Sequence, residues 1–151
     1  MAARDLSPPL ARSGAFPWIV LERVGAGATA VVFRATHATR GQLAALKVAT
    51  CVGPLRGEAT LLARLPRRWG PALLDAGTLP DDAVGAARGA SYIATEWAQG
   101  AALAPTELRG NRERAAAVVA HGVARGLAEL HEAGVRHGDV KPANIILSGR
   151  D

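Results

Sequence analysis

Lysine, cysteine and aromatic residues are all scarce in this chain of 151 residues. Only two of its 18 basic residues are lysine, and the rest are arginine. The single cysteine, Cys51, excludes an internal disulfide, and we interpret it as a small packing residue. No apolar run approaches the ~18–20 residues that cross a bilayer, so we predict no membrane segment. Hydrophobic residues still make up 49% of the chain, which is typical of globular proteins.

The chain is basic, with a formal net charge of +5. A basic balance can indicate nucleic-acid binding, and Arg64, Arg67 and Arg68 form a short basic run. That run has no interleaved aromatic residues, and aromatics account for only 4% of the chain. We therefore interpret it as a solvated basic face and predict no nucleic-acid partner.

The first 15 residues are rich in Ala, Arg, Ser and Pro. They lack the continuous apolar core of a secretory signal, so we infer no signal peptide and expect a flexible leader. Together with the single cysteine, this favours a cytoplasmic location.

The most informative stretch is His137-Gly138-Asp139-Val140-Lys141-Pro142-Ala143-Asn144. It places Lys141 two residues and Asn144 five residues after Asp139. Phosphoryl transfer needs a carboxylate to orient a hydroxyl, a cation near the moving phosphate and an oxygen ligand for Mg²⁺. The octapeptide supplies one residue of each kind. The alternative is a polar turn that follows a helix.

The two lysines support this interpretation independently. Lys141 lies inside the octapeptide, and Lys47 ends the run Ala44-Ala45-Leu46-Lys47. Lysine is a compact point charge and arginine a planar fork, so the two are not interchangeable at a phosphate. In a chain that uses arginine elsewhere, lysine at these two positions is therefore informative, and the resemblance given below implies that both contact phosphate.

A glycine-rich segment, Val24-Gly25-Ala26-Gly27-Ala28-Thr29-Ala30-Val31-Val32, lies upstream of Lys47. Glycines allow the backbone to approach phosphates closely. Apolar runs flank the segment and Lys47 follows on the next one, which predicts the order strand, loop, strand, strand. A dinucleotide-binding turn would lead into a helix instead. Taken alone, the segment could also be an ordinary hairpin turn.

These three segments resemble the patterns H-R-D-x-K-x-x-N, V-A-I-K and G-x-G-x-x-G-x-V of eukaryotic-like serine/threonine protein kinases of the bacterial type. Lysine two residues after the aspartate is similar to the serine/threonine rather than the tyrosine kinases. The sequence departs from the family at Gly138, where arginine is usual, and at Ala30, where a third glycine is usual.

The resemblance implies roles for these residues in a site for ATP and Mg²⁺ that acts on a protein serine or threonine. Asp139 would orient the acceptor hydroxyl and accept its proton, and Lys141 would neutralise the γ-phosphoryl group. Asn144 would bind Mg²⁺. The nucleotide would be held by residues of the glycine-rich segment and of the following strand, namely Gly25, Ala26, Gly27, Val32, Ala45 and Lys47.

Two further segments fit the resemblance. A helical pattern over 55–65 carries Glu58, which in the family would pair with the strand lysine, although only 11 positions separate it from Lys47. Tyr92–Gly100 resembles the hinge that binds adenine. Thr95 would gate the back of the pocket, and Glu96, Trp97 and Ala98 would lie at the base. The alternatives are a solvated glutamate and a plain edge strand that ends at a Gly turn.

The implied fold is α+β, with a five-stranded antiparallel sheet and one helix followed by a partial helical lobe. We predict a leader at 1–15, an amino-terminal lobe at 16–98, and a hinge with a partial carboxy-terminal lobe at 99–151. Predicted strands cover 18–25, 30–37, 42–49, 72–79 and 90–96, and predicted helices cover 55–65 and 111–134.

No Asp-Phe-Gly run occurs in the sequence. That run supplies the family's second metal ligand, so we expect the chain to be truncated before it and inactive alone. We also expect Val119, Val123, Leu127 and Leu130 of the long helix to lack packing partners. Burial worth roughly 6–12 kcal/mol would then be missing, and the isolated chain would be marginally stable.

Two other functions are consistent with the motifs. Small-molecule phosphotransferases of the aminoglycoside or choline kinase type share this fold and often carry His-Gly-Asp, as this chain does at 137–139. Lys141-Pro142 argues against them. A non-catalytic, nucleotide-binding pseudokinase fragment is the second alternative. It is favoured by the absence of Asp-Phe-Gly and opposed by the intact Lys47, Asp139, Lys141 and Asn144.

Overall fold

The computed structural model describes residues 16–50, 55–65, 70–80, 89–103 and 111–147. The chain divides into a first unit that ends at Trp97 and a second unit that begins at Ala98. The predictions for the leader at 1–15, for Cys51, for Arg67 and Arg68, and for the residues after 147 lie outside the described residues.

The first unit contains the expected five-stranded antiparallel sheet and one helix, so the predicted α+β class is confirmed. The strand order is β1-β2-β3-β5-β4, with every neighbouring pair antiparallel. The elements lie within two residues of the predicted bounds: β1 (Trp18–Ala26), β2 (Ala30–His37), β3 (Leu43–Ala49), α1 (Arg56–Arg64), β4 (Leu73–Thr78) and β5 (Ser91–Glu96).

The two faces of the sheet bury different clusters because side chains alternate along each strand. On β2, Phe33 is fully buried while its neighbours Val32 and Arg34 are half-buried on the opposite face. Phe33 belongs to the larger core cluster, with Trp18, Leu46, Val48, Tyr92 and others. The opposite face carries a smaller cluster of Ala49, Leu55 and Ile93, against which α1 packs through Ala59 and Leu62.

A carboxylate that sequence patterns did not single out joins both edges of this sheet. Asp75 Oδ2 of edge strand β4 accepts hydrogen bonds from Trp18 Nε1 of edge strand β1 and from the Tyr92 hydroxyl, each at 2.9 Å. The Phe16 ring packs edge-on against Tyr92, with centroids 5.2 Å apart. Burial, then the hydrogen bond to Asp75, raises the pKa of Tyr92 above its usual range. The sheet must therefore curl, so that its two edges meet around this network.

The second unit consists of β6 (Ala101–Ala102), α2 (Arg112–Glu132), a 3₁₀ turn (Pro142–Asn144) and β7 (Ile146–Leu147). The side chain of Asn111 caps α2 by accepting a hydrogen bond from the Arg114 N–H at 3.0 Å. The helix ends at Glu132, Ala133 is its C-cap, and Gly134 follows with φ of +73°. Glycine tolerates this left-handed conformation, so the predicted end of the helix is confirmed.

The short pairing of β6 with β7 was not predicted, because two-residue strands have no periodicity to detect. Gly100 has φ of +131°, and a Cβ there would collide with the carbonyl oxygen of Leu147. Only glycine fits beside this pair of strands.

The expectation that four apolar residues of α2 lack partners is wrong for Leu130, which is buried. The chain reverses at Gly134, and the Val135 N–H donates to the Leu130 carbonyl at 2.9 Å. This hydrogen bond brings Val135 back to the last turn of the helix. The other three positions, Val119, Val123 and Leu127, are half-buried. Among the described helices, none is long and apolar enough to cross a membrane.

Candidate active site

Lys47 and Glu58 form an ion pair in the first unit, with Nζ 2.6 Å from Oε2. Alternation along β3 directs Lys47 to the face that carries α1, and Glu58 lies in the first turn of that helix. The side chains are 34% and 40% exposed. At that exposure the pair adds at most about 1 kcal/mol to stability. Its main consequence is that the lysine ammonium has a fixed position.

The glycine-rich segment forms the turn between β1 and β2 and lies beside Lys47. Gly25 pairs with Val32, and Val32 pairs with Lys47, so these residues form one row across three strands. The Gly27 N–H donates to the Ala30 carbonyl at 2.8 Å and closes the turn. A Cβ at Gly25 would meet nothing within 4 Å. The backbone at Gly25 is therefore open to approach by a ligand, with the exposed Ala26 next to it.

A second row lies two residues along the same strands. Ala45 pairs with Arg34 on one side and with Thr95 on the other. The rise per strand residue puts this row about 7 Å from the row of Lys47. A phosphate at Lys47 would therefore leave room for a flat group over Ala45, with the apolar Val32 of the Lys47 row next to it.

The end of β5 carries the remaining predicted nucleotide-binding residues. Thr95 is half-buried in the row of Ala45. The Glu96 N–H donates to the Ala72 carbonyl at 2.9 Å, and the Ala72 N–H donates to Glu96 Oε2 at 3.2 Å. Glu96 therefore fixes the chain that leads into β4. Trp97 lies beneath the Arg34 guanidinium, and the exposed Ala98 begins the second unit.

In the second unit, Asp139, Lys141 and Asn144 are in direct contact. Asp139 Oδ2 accepts hydrogen bonds from Lys141 Nζ at 2.8 Å and from Asn144 Nδ2 at 2.9 Å. Asn144 Nδ2 also donates to the backbone carbonyl of Asp139 at 2.8 Å. His137 Nδ1 accepts from the Asp139 N–H at 3.3 Å, which supports the loop. Gly138 between them has φ of +76°.

This arrangement leaves one oxygen of the Asp139 carboxylate and the oxygen of the Asn144 amide available to a ligand. Both donors meet Asp139 at Oδ2, and no described residue donates a hydrogen bond to Oδ1. The Lys141 hydrogen bond, followed by that of Asn144, lowers the pKa of Asp139. The carboxylate is therefore ionised and can accept a hydrogen bond from a hydroxyl. Since the Asn144 amide nitrogen donates twice to Asp139, its carbonyl oxygen points elsewhere and can bind a cation.

The fit for Mg²⁺ is partial. Magnesium prefers oxygen ligands and is commonly held by one or two carboxylates together with substrate phosphates. Within the described ranges, no group of three or more His, Cys, Asp or Glu residues could hold a metal. Asn144 Oδ1 is an oxygen of the right kind, so it could bind Mg²⁺ in the company of phosphate oxygens but not alone.

Sequence patterns missed Arg34 and Glu22. Arg34 lies on the same face as Lys47, its Nη1 is 3.1 Å from Glu22 Oε1, and its guanidinium carbon is 5.5 Å from the centroid of the Trp97 ring. Because residues two apart on a strand share a face, the position of Arg34 two residues after Val32 could have predicted that it lies on the same face as Val32. Its aromatic partner, 63 positions away, was not predictable from local pattern.

Comparison with known proteins relates the chain to protein kinases. It is similar to Cyclin-dependent kinase F-1 of Oryza sativa subsp. japonica, with 37% identity over 142 residues that cover 85% of this chain and 27% of that protein. A 29-residue stretch is 66% identical to Probable inactive leucine-rich repeat receptor kinase XIAO of the same plant, covering 19% of this chain and 2% of that protein. No protein-family model matches. The chain thus spans about a quarter or less of the curated relatives it matches.

Proposed function

We propose that this chain is the nucleotide-binding and catalytic-loop part of a serine/threonine protein kinase. The observation that carries the proposal is the geometry of Asp139, whose Oδ2 is held by Lys141 and Asn144 while Oδ1 receives no hydrogen bond from the described residues. Such an arrangement suits transfer of the γ-phosphoryl group of ATP to a hydroxyl. The similarity to a kinase over most of the chain supports it.

In this proposal the first unit binds ATP. The Lys47 ammonium, held by Glu58, contacts the α- and β-phosphates, and the backbone of Gly25, Ala26 and Gly27 covers them. The adenine lies against Ala45, about 7 Å from the row of Lys47, and Val32 of that row borders it. Thr95 limits the depth of the pocket, and the chain at 96–98 binds the edge of the base.

The second unit acts on the acceptor. Asp139 Oδ1 accepts a hydrogen bond from the serine or threonine hydroxyl, which orients the oxygen and receives its proton. Lys141 lies 2.8 Å from the other oxygen of the same carboxylate, so its positive charge is close to the incoming γ-phosphoryl group. Mg²⁺, when bound through Asn144 and phosphate oxygens, would supply neutralisation of the developing charge.

ATP binding and phosphate transfer have different requirements for Mg²⁺ ligands. The described residues offer Mg²⁺ one good oxygen ligand, so we propose that the 151-residue chain alone binds ATP without transferring phosphate. Transfer would require a further carboxylate ligand, which the family draws from an Asp-Phe-Gly run that this sequence does not contain.

The test is to measure ATP binding by calorimetry with and without Mg²⁺, and transfer from γ-labelled ATP to mixed protein substrates. We expect saturable ATP binding that Mg²⁺ strengthens, and no transfer by the chain itself. Absence of any ATP binding would refute the proposal. Transfer by the purified chain would refute the part that assigns it no activity alone.

A second candidate is a phosphotransferase that acts on a small molecule. It is favoured by Gly138, which gives His-Gly-Asp and adopts φ of +76°, a conformation disfavoured for the arginine of protein kinases. Phosphorylation of an aminoglycoside or choline, but not of protein, by a longer form of the protein would establish it. A non-catalytic binder is the third candidate, since one matched relative is named as probably inactive. ATP binding without transfer in every longer form would favour that alternative.

A further inference from the structure

Arg34 occupies an unusual position at the boundary of the first unit. It projects from β2 on the face of Lys47, in the row formed by Glu22, Arg34, Ala45 and Thr95. Its guanidinium carbon lies 5.5 Å from the centroid of the Trp97 ring, and Nη1 lies 3.1 Å from Glu22 Oε1. Trp97 is the last residue of the first unit. The contact therefore connects the β1–β2 hairpin to the point where the chain leaves this unit.

Stability alone gives no reason for an arginine here. Its Nε is buried and has no hydrogen-bond partner within the part of the chain that the structure describes. A buried donor without a partner is unfavourable compared with an apolar group of similar shape. The ion pair with Glu22 is largely exposed, with side-chain exposures of 38% and 56%, and contributes little. An unbranched apolar side chain such as methionine would fill the same space without the unsatisfied donor.

What Arg34 does is fix the Trp97 side chain. A cation over an indole ring is favourable, and tryptophan is the best aromatic partner for it. Residues 97–100 follow β5 and belong to no strand, so little regular backbone pairing holds this segment. The Arg34 contact supplies a side-chain anchor immediately beside the segment at 96–98.

We propose that Arg34 is a positioning residue for nucleobase binding. By stacking on Trp97, with Glu22 orienting its guanidinium, it holds residues 97 and 98, which follow the strand-paired Glu96, in the conformation that binds the edge of the base. Without it, the segment samples other conformations, and affinity falls in proportion to the loss of the competent one. The inference rests on the proposed function, because it assigns the base to this segment and the phosphates to Lys47.

The experiment compares Arg34→Met with the wild-type chain using three probes: ATP, adenosine and inorganic tripolyphosphate. We expect ATP and adenosine to bind about two- to fivefold more weakly, the range that a partly exposed cation–π contact provides. Tripolyphosphate, which contains no base, should bind unchanged. The melting temperature should stay the same or rise, because the unsatisfied Nε is removed.

Three further variants complete the design. Arg34→Lys keeps a cation over Trp97 and should retain most of the base affinity. Trp97→Ala should weaken adenosine binding as Arg34→Met does, and the double variant should be no weaker than either single one, since both remove the same contact. Arg40→Met removes the same charge from the exposed turn between β2 and β3 and should bind all three probes normally.

The outcomes separate this inference from the proposed function. Normal ATP and adenosine binding by Arg34→Met would overturn the inference alone, because the wild-type chain would still bind nucleotide. Equal losses for adenosine and tripolyphosphate, or a lowered melting temperature that accompanies the loss, would overturn it in favour of a general structural role. Failure of the wild-type chain to bind ATP would overturn the proposed function and the inference with it.

Discussion

The first unit fully buries the side chains of Phe33, Leu46 and Val48 in one cluster, and the Asp75 network joins both edges of its sheet. In the second unit, α2 leaves Val118 66% exposed, and among the described residues only Leu130 is a buried apolar side chain. The first unit thus has a core of its own. The second has a helix whose apolar side is only partly covered.

The same contrast applies to the two halves of the candidate site. Lys47 is held by Glu58 on a sheet and a helix that pack on each other. Asp139 lies in an exposed loop and is held by Lys141, Asn144 and His137, all within five residues of it. Short-range hydrogen bonds can fix the loop's geometry without a core. The position of Lys47 therefore depends on tertiary packing, and that of Asp139 on local sequence.

The largest expected effect is on the core of the first unit. Replacing the fully buried Phe33 with alanine removes a large ring from the main cluster, which destabilises a protein by about 3–5 kcal/mol. Val118→Ala, in the exposed part of α2, should change stability by less than about 0.5 kcal/mol. Urea unfolding followed by circular dichroism would measure both. Similar losses for the two variants would show that the second unit has a core equal to that of the first.

A smaller effect should separate nucleotide binding from the catalytic loop. In the proposed function, Lys47→Met removes a charged hydrogen-bond donor to phosphate, worth about 1.5–3 kcal/mol, so ATP affinity should fall about 10- to 150-fold. Asp139→Asn leaves the first unit untouched and should keep ATP affinity within about twofold. Calorimetric titration of both variants with ATP provides the measurement. If Asp139→Asn weakened ATP binding as much as Lys47→Met, the proposal that the first unit alone binds ATP would be wrong.

The next effect concerns two glycines of the second unit, for which the expected signs are opposite. Gly138 has φ of +76° with open space around a Cβ, so alanine there introduces backbone strain of about 1–2 kcal/mol and nothing else. Gly122 is exposed on α2 and has similar open space around a Cβ. Gly122→Ala should therefore stabilise the helix by about 1 kcal/mol.

Hydrogen exchange of the backbone amides around Gly122 and Gly138 would measure both changes. Slower exchange in α2 for Gly122→Ala and faster exchange at residues 137–141 for Gly138→Ala are expected. Destabilisation by Gly122→Ala would mean that this face of α2 packs closely against something that alanine disturbs.

Sequence patterns predicted the elements better than the contacts between them. Apolar runs such as Val31–Phe33 and the helical spacing over 55–65 and 111–134 are local signals, and the strands and both helices followed from them. The ion pair of Lys47 with Glu58 was expected only from the resemblance to protein kinases, since their separation of 11 positions gives no signal of its own. Asp75 has no such signal, since one acid on a half-buried strand is usually solvated. Its partners Trp18 and Tyr92 lie 57 and 17 positions away, and the curl of the sheet brings them together.

The predictions in the second unit failed in a related way. Leu130 has the same helical spacing as Val119 and Leu127, yet only Leu130 is buried. Leu130 also lies next to the end of the helix, where the reversal at Gly134 brings the Val135 N–H to the Leu130 carbonyl. Periodicity identifies the apolar side of a helix, but it does not show which residues of that side are covered.

The smallest expected effect tests the network that distinguishes the first unit. Tyr92→Phe deletes the hydroxyl that donates to Asp75, while Asp75 keeps the hydrogen bond from Trp18. One such bond contributes about 1 kcal/mol, so the variant should be less stable by that amount at neutral pH. Because Tyr92 is the only tyrosine, the absorbance of tyrosinate reports this residue alone.

The difference in stability between the wild-type chain and Tyr92→Phe should change sign as the pH rises. Burial and the Asp75 hydrogen bond raise the pKa of Tyr92 in the folded chain, so above the unfolded value of about 10 the unfolded state loses the proton first. Wild-type stability should therefore fall by about 1.4 kcal/mol per pH unit from that point relative to the variant, and the advantage of about 1 kcal/mol should disappear and reverse. Thermal melts of both proteins between pH 8 and about pH 11 would show the two curves crossing. Parallel curves would mean that the hydroxyl is as accessible to water when folded as when unfolded, and that the edges of the sheet are not joined at Asp75.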